Sequence, residues 1–264
     1  SLGGCAFNVS DSIRHFQVPY ILFSPVGTGI YGYFVREELK KRGISSPIPS
    51  PNQDNGCCYC FVESTGERTF SSYHGAEYLF RREWFDLIKT EEIDSVYICG
   101  LEIEEVTGDV IVDFLEKNPQ LKIFFAPGPR LTVIDSLLLD RIYRLSPILH
   151  LNESEALEVT RAQQITQAAR SLYDRTHNTV IITLGDKGCY YYDGDKDDIV
   201  PPVKARQVDT IGAGDSHIGS VIACLKRGQS LPAAIASANK VAAAVVGNSS
   251  AILPDEEFAK LDLI

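Results

Sequence analysis

The 264-residue sequence contains no methionine and only one tryptophan. It has no apolar run approaching the ~18 residues that a membrane-spanning helix needs, which excludes a helical integral membrane protein. It is also short of cations, with 25 Lys and Arg against 35 Asp and Glu and a formal net charge of −10. A surface so poor in positive charge argues against nucleic acid as a partner, because phosphate backbones are bound through Lys and Arg. Cysteine is present without a structural pattern: the seven (5, 57, 58, 60, 99, 189 and 224) are odd in number and lack paired-knuckle spacing. Cys57 and Cys60 form a CxxC, but in an extended strand Cys57 faces away from Cys58 and Cys60, so we read all three as small apolar strand residues. No secretory signal opens the chain, and the expected setting is cytoplasmic. The missing methionines, and a start at Ser1-Leu2-Gly3-Gly4 inside what reads as a motif, lead us to expect a further segment before Ser1.

What is present belongs to an ordinary globular protein, 44% hydrophobic and 23% charged, of a length that suits one large domain over 1–264. Short apolar runs at 95–99, 122–126, 148–151 and 179–184 read as strands, with another at 189–193. Helical patterns at 106–117, 134–145, 153–160 and 164–176 separate the first four, and 213–227 and 231–246 close the chain. Short apolar strands alternating with helices predict a parallel sheet covered on both faces. Residues 57–62 and 68–72, joined by Ser64-Thr65-Gly66-Glu67, predict a β-hairpin that interrupts this rhythm. We take 52–76 as a candidate β lid.

Several glycine-bearing segments fall where such folds bind ligands. In Asp209-Thr210-Ile211-Gly212-Ala213-Gly214-Asp215 two glycines precede a predicted helix. Helix-start amides carry partial positive charge and can hold phosphate oxygens, and an aspartate beside them could act as a base. The same residues also read as a capped turn. Gly27-Thr28-Gly29-Ile30-Tyr31-Gly32 is a literal G-x-G-x-x-G after the apolar run 20–24, the form a dinucleotide fingerprint takes between strand and helix. The following 44–51 is too rich in proline for the second strand that a nicotinamide-binding unit requires. Gly3-Gly4-Cys5-Ala6-Phe7-Asn8 offers close backbone approach and a donor–acceptor amide. Asn152-Glu153-Ser154-Glu155 follows a strand and reads as a capped helix with acids in its first turn. Thr183-Leu184-Gly185-Asp186-Lys187-Gly188 ends another strand.

Together, and in their order along the chain, these motifs resemble those of the PfkB (ribokinase-like) carbohydrate kinases. The resemblance implies a ribokinase-like three-layer α/β sandwich, with a mostly parallel central sheet flanked by helices and a small β lid. It implies an ATP- and Mg2+-dependent kinase that phosphorylates a hydroxyl of a small sugar or sugar acid, and it admits a monovalent cation such as K+. Carried over residue by residue, Asp215 is the base, and Gly212, Ala213 and Gly214 supply the anion-hole amides. Asn152, Thr183, Gly185, Gly188 and Asn239 contact the nucleotide, and Glu155 organises the magnesium. Gly4, Asn8 and Arg130 contact the substrate.

The sequence departs from the family at four places: His217 stands for the usual Phe, Gly29 and Ala126 for the usual Asp, and Cys5 for the Lys of several phosphosugar kinases. The resemblance further implies a first sheet strand before Ser1, and a homodimer formed through the lid by an apolar face at 57–62. A nucleoside kinase would share these motifs. An NAD-dependent oxidoreductase is the remote alternative, and the intact Asp215 argues against a catalytically decayed sugar sensor.

Overall fold

In the computed structural model residues 1–62 and 68–264 are described. The turn expected at 64–67 lies outside them. Eight strands and ten α-helices are found among the described residues. The chain begins with α1 (Cys5–His15) and α2 (Ile30–Lys41). It then forms a separate antiparallel pair, β1 (Cys57–Val62) and β2 (Arg68–Tyr73), in the register Cys57 opposite Tyr73.

The main sheet has six strands in plain chain order: β3 (Ser95–Cys99), β4 (Lys122–Ala126), β5 (Ile148–Asn152), β6 (Val180–Thr183), β7 (Cys189–Tyr192) and β8 (Asp197–Val200). The first four are parallel, and β7 and β8 return antiparallel. Between them run α3 (Gly100–Glu104), α4 (Gly108–Lys117), α5 (Ser136–Arg144), α6 (Glu153–Thr160) and α7 (Ile165–Thr176). After the sheet come α8 (Ala213–Lys226), α9 (Leu231–Val246) and α10 (Asp255–Ala259).

Period-two alternation divides the strand side chains between two cores. Ile123, Phe125, Leu149, Leu151, Val180 and Ile182 pack in one core with residues of α4 to α7. Phe124, Ile148 and Ile181 point the other way and pack with α1, α8, α9 and α10. The result is the expected three-layer sandwich. Among the described residues no helix is long and apolar enough to cross a membrane.

One expectation needs correction, and three elements were not anticipated. Residues 20–24 form no strand, so the glycine loop at 27–32 does not follow one. The helix expected at 106–117 is α4, which starts two residues later; the short α3 before it was not anticipated, and the first turn of α4 backs closely onto Ile103. Helix α1 was not anticipated, because Asn8, Ser10, Asp11, Ser12 and His15 are all buried and hide its apolar stripe. Strand β8 is an edge strand with Asp197, Asp198 and Ile199 exposed, and shows no alternation to read.

Candidate active site

The parallel strands end along one edge of the sheet, the edge at which open α/β sheets bind ligands. Cys99 ends β3 and pairs with Ala126, which ends β4; Asn152 and Thr183 pair at the ends of β5 and β6. With strands about 4.8 Å apart, the ends of β3 and β6 are separated by roughly 14 Å.

Near the β3 end, α1 and α8 cross at close range. A Cβ on Gly219 of α8 would stand 2.7 Å from the Val9 carbonyl oxygen and 2.8 Å from Ser12 Cβ of α1, so only glycine admits the approach. The crossing brings Asn8 to Asp215 across 207 residues, with Nδ2 donating to Oδ2 at 2.8 Å. Burial raises the Asp215 carboxyl above the usual aspartate range, while hydrogen bonds from Asn8 and Cys5 oppose the shift. Helix α8 starts behind Gly212, whose φ of 80° is left-handed and whose Cβ position is blocked by the Ala251 carbonyl. The Ala213 amide is turned into the bend and donates to the Thr210 carbonyl at 3.2 Å. Gly214 faces open space, and its amide has no backbone acceptor among the described residues. Of the three residues expected to hold an anion, Ala213 thus has its amide committed to the turn.

One carboxylate beside Asp215 was not anticipated. Glu102, in the first turn of α3, accepts from Cys99 Sγ at 2.6 Å. Burial raises its carboxyl, and the neighbouring Asp215 charge adds to the rise. Cys5 lies within hydrogen-bond reach of both Asp215 and Cys99. Gly4 precedes α1 with φ 100° and leaves the helix start without a side-chain cap. Arg130, in a 3-10 turn after β4, is committed to Glu104, with Nε 2.6 Å from Oε2.

At the other end, Asn152 and Glu155 form a full capping box: Asn152 Oδ1 accepts from the Glu155 amide, and Glu155 Oε2 from the Asn152 amide. The capped-helix reading is thus realised, and the second carboxylate oxygen of Glu155 remains for another partner. Burial raises the Glu155 carboxyl. Thr183 precedes the loop in which Gly185 and Gly188 have φ of 61° and 99°. A Cβ on Gly188 would meet the Val200 carbonyl oxygen, whereas Gly185 faces open space.

Asn239 is 8% exposed and lies inside the core. Its Nδ2 donates to the Val200 and Pro201 carbonyls, which leaves Oδ1 to accept from His217 Nε2 at 3.2 Å. His217 must then offer Nδ1 as acceptor to His150 Nε2, 2.9 Å away. Both histidines are neutral: burial lowers His217 to about 4 and holds His150 well below the ordinary histidine range. Asn239 is spent on this chain.

The G-x-G-x-x-G loop is spent as well. Its Gly27 amide goes to Asn55 Oδ1, Thr28 to the Gln53 carbonyl and Gly32 to Asp54 Oδ1. A Cβ on Gly27 would collide with the Gln53 carbonyl, and one on Gly29 with the Asp54 carboxylate. These glycines serve close packing against the root of the hairpin, and the nicotinamide reading loses its phosphate cradle.

Comparison with known proteins bears on the family and the fold. The family model described as "pfkB family carbohydrate kinase" matches residues 1–257. The chain is 32% identical to the Escherichia coli (strain K12) protein "Uncharacterized sugar kinase YegV" over 253 residues, 94% of this chain and 78% of that one. A ribokinase from Thermotoga maritima superposes with a TM-score of 0.81, at 21% identity and covering 98% of this chain and 86% of that one. A Burkholderia thailandensis nucleoside kinase, solved in complex with inosine, gives a TM-score of 0.79, at 18% identity and covering 99% and 86%. Identities this low show the fold alone.

Proposed function

Since the chain belongs to the pfkB family of carbohydrate kinases, and is thus a phosphotransferase with a hydroxyl acceptor, we propose that it moves the γ-phosphoryl group of ATP to a sugar hydroxyl with Asp215 as base. The observation that carries the residue roles is the Asn8–Asp215 hydrogen bond, which joins the two distant glycine motifs into one site. Asp215 takes the proton of the attacking hydroxyl, and the elevation of its carboxyl by burial makes it a better proton acceptor than an exposed aspartate. The Gly212 and Gly214 amides and the start of α8 stabilise charge on the transferring group.

The Thr183–Gly188 loop and the β5 end, roughly 14 Å from the β3 end, suit the nucleotide. Magnesium would fit the oxygen donors there, and Glu155 and Asn152 are the residues that would hold it. When bound, it neutralises charge on the nucleotide phosphates. The β1–β2 hairpin acts as a lid that keeps water from the phosphoryl group.

Asp215→Asn tests the central role. Its kcat should fall about 10³-fold, within the range general bases contribute, while ATP binding by calorimetry is retained. Turnover near the parent rate would remove Asp215 from the mechanism.

A further inference from the structure

We infer that the acceptor is an uncharged polyol, a free neutral sugar or the sugar of a nucleoside, and not a phosphate ester or a sugar acid. The inference rests on the kinase reading above and on the charge and hydrogen-bonding character of the acceptor end.

Two carboxylates, Asp215 and Glu102, lie at that end, and Glu102 senses the charge of Asp215. The groups around them, Cys5, Cys99, Tyr78 and Tyr97, all sense the negative charge of Glu102. The nearby cations are already taken. Arg42, whose guanidinium lies 5.8 Å from the Phe7 ring of α1, is bound by Glu38 at 2.9 Å. Arg130 is bound by Glu104 at 2.6 Å. The uncapped start of α1 contributes about half a positive charge, too little to offset two carboxylates.

The unfilled hydrogen-bonding capacity points the same way. Asn8 is 5% exposed, yet its Oδ1 has no partner, while its Nδ2 is held by Asp215. Asn8 Oδ1 and the two carboxylates accept hydrogen bonds, so they call for O–H donors. Sugar hydroxyls supply these. A phosphate dianion or a carboxylate brings only further acceptors and a like charge.

One added negative charge ~5 Å from a carboxylate, at an effective dielectric near 20, costs a factor of about 100 or more in binding. The test measures ADP release with ribose, fructose, adenosine and glucose, each beside an anionic counterpart: ribose 5-phosphate, fructose 6-phosphate, adenosine monophosphate and gluconate. An uncharged acceptor should exceed its counterpart in kcat/KM by about 100-fold. An anionic acceptor that matches or exceeds its neutral partner overturns the inference and leaves the kinase assignment standing. No ADP release from any acceptor, with ATP still bound, overturns the sugar-kinase assignment and the inference with it. Glu102→Gln removes one charge at nearly constant shape and should narrow the preference about tenfold. Lower kcat with an unchanged preference would overturn the part given to Glu102.

Discussion

Asn8 donates to the ionised form of Asp215, so losing that bond has a predictable direction. The bond lowers the carboxyl, against the burial that raises it. Asn8→Ala leaves burial in place and removes the opposing hydrogen bond, so the carboxyl rises further. Activity needs the ionised form, so it grows as pH rises through the carboxyl's range. The acid limb of the kcat–pH profile should therefore move to higher pH in Asn8→Ala, with a loss of about tenfold at neutral pH, the worth of a hydrogen bond to a charged group. An acid limb at the parent position would detach Asn8 from the base. Asp215 and Asn8 were legible because glycines mark them. Glu102 was not, since Glu102, Glu104 and Glu105 read alike on a short acidic helix start. Only the position of α3 beside Cys99 sets Glu102 next to Asp215. Asn239 shows the converse: a position carried over from the family is here spent on His217.

The elements holding the site can be tested through their contacts. Gly219 lets α1 lie against α8, and a Cβ there would press on Val9 and Ser12. Gly219→Ala should lower stability by about 1–3 kcal/mol, the usual range for overpacking, and reduce kcat as Asn8 is displaced. Thermal unfolding together with turnover reads both, and unchanged values in each would show that the contact relaxes freely.

The His150–His217–Asn239 chain joins β5, α8 and α9 and makes stability depend on pH. Both histidines are lowered by burial, so the unfolded chain, near 6.5, takes up protons first. Stability should be full above about pH 6.5 and fall as pH drops towards 4, with His217 alone accounting for about 3 kcal/mol. His217→Phe should be less stable at pH 7, where it strands His150 and Asn239, but lose less between pH 6.5 and 4. Parallel denaturation profiles for the two proteins would refute this. At this scale the central strands were legible to within a residue or two, because buried parallel strands are short and uniformly apolar. Helix α1 and strand β8 were not, because the first buries polar groups and the second exposes them.

Over the whole molecule, the two cores follow from alternation along each strand, and that much a sequence carries. How the hairpin is tied to the body is a long-range matter of backbone groups that no pattern announces. Glu77 makes that tie: it accepts from the amides of Gly56 and Gly75 and from Asn55 Nδ2 at 2.8 Å, while Asn55 Oδ1 holds the Gly27 loop. Glu77→Ala leaves the Asn55 Nδ2 and Gly56 amides without their main acceptor, at a cost of about 1–3 kcal/mol. If the hairpin is a lid, the cost falls on closure. KM for the acceptor should rise, and ATP hydrolysis without acceptor should increase relative to phosphorylation, because water reaches the phosphoryl group. A hairpin with a purely structural role predicts something different: a lower melting temperature with the ratio of hydrolysis to transfer unchanged. Measuring that ratio in Glu77→Ala beside the parent protein separates the two.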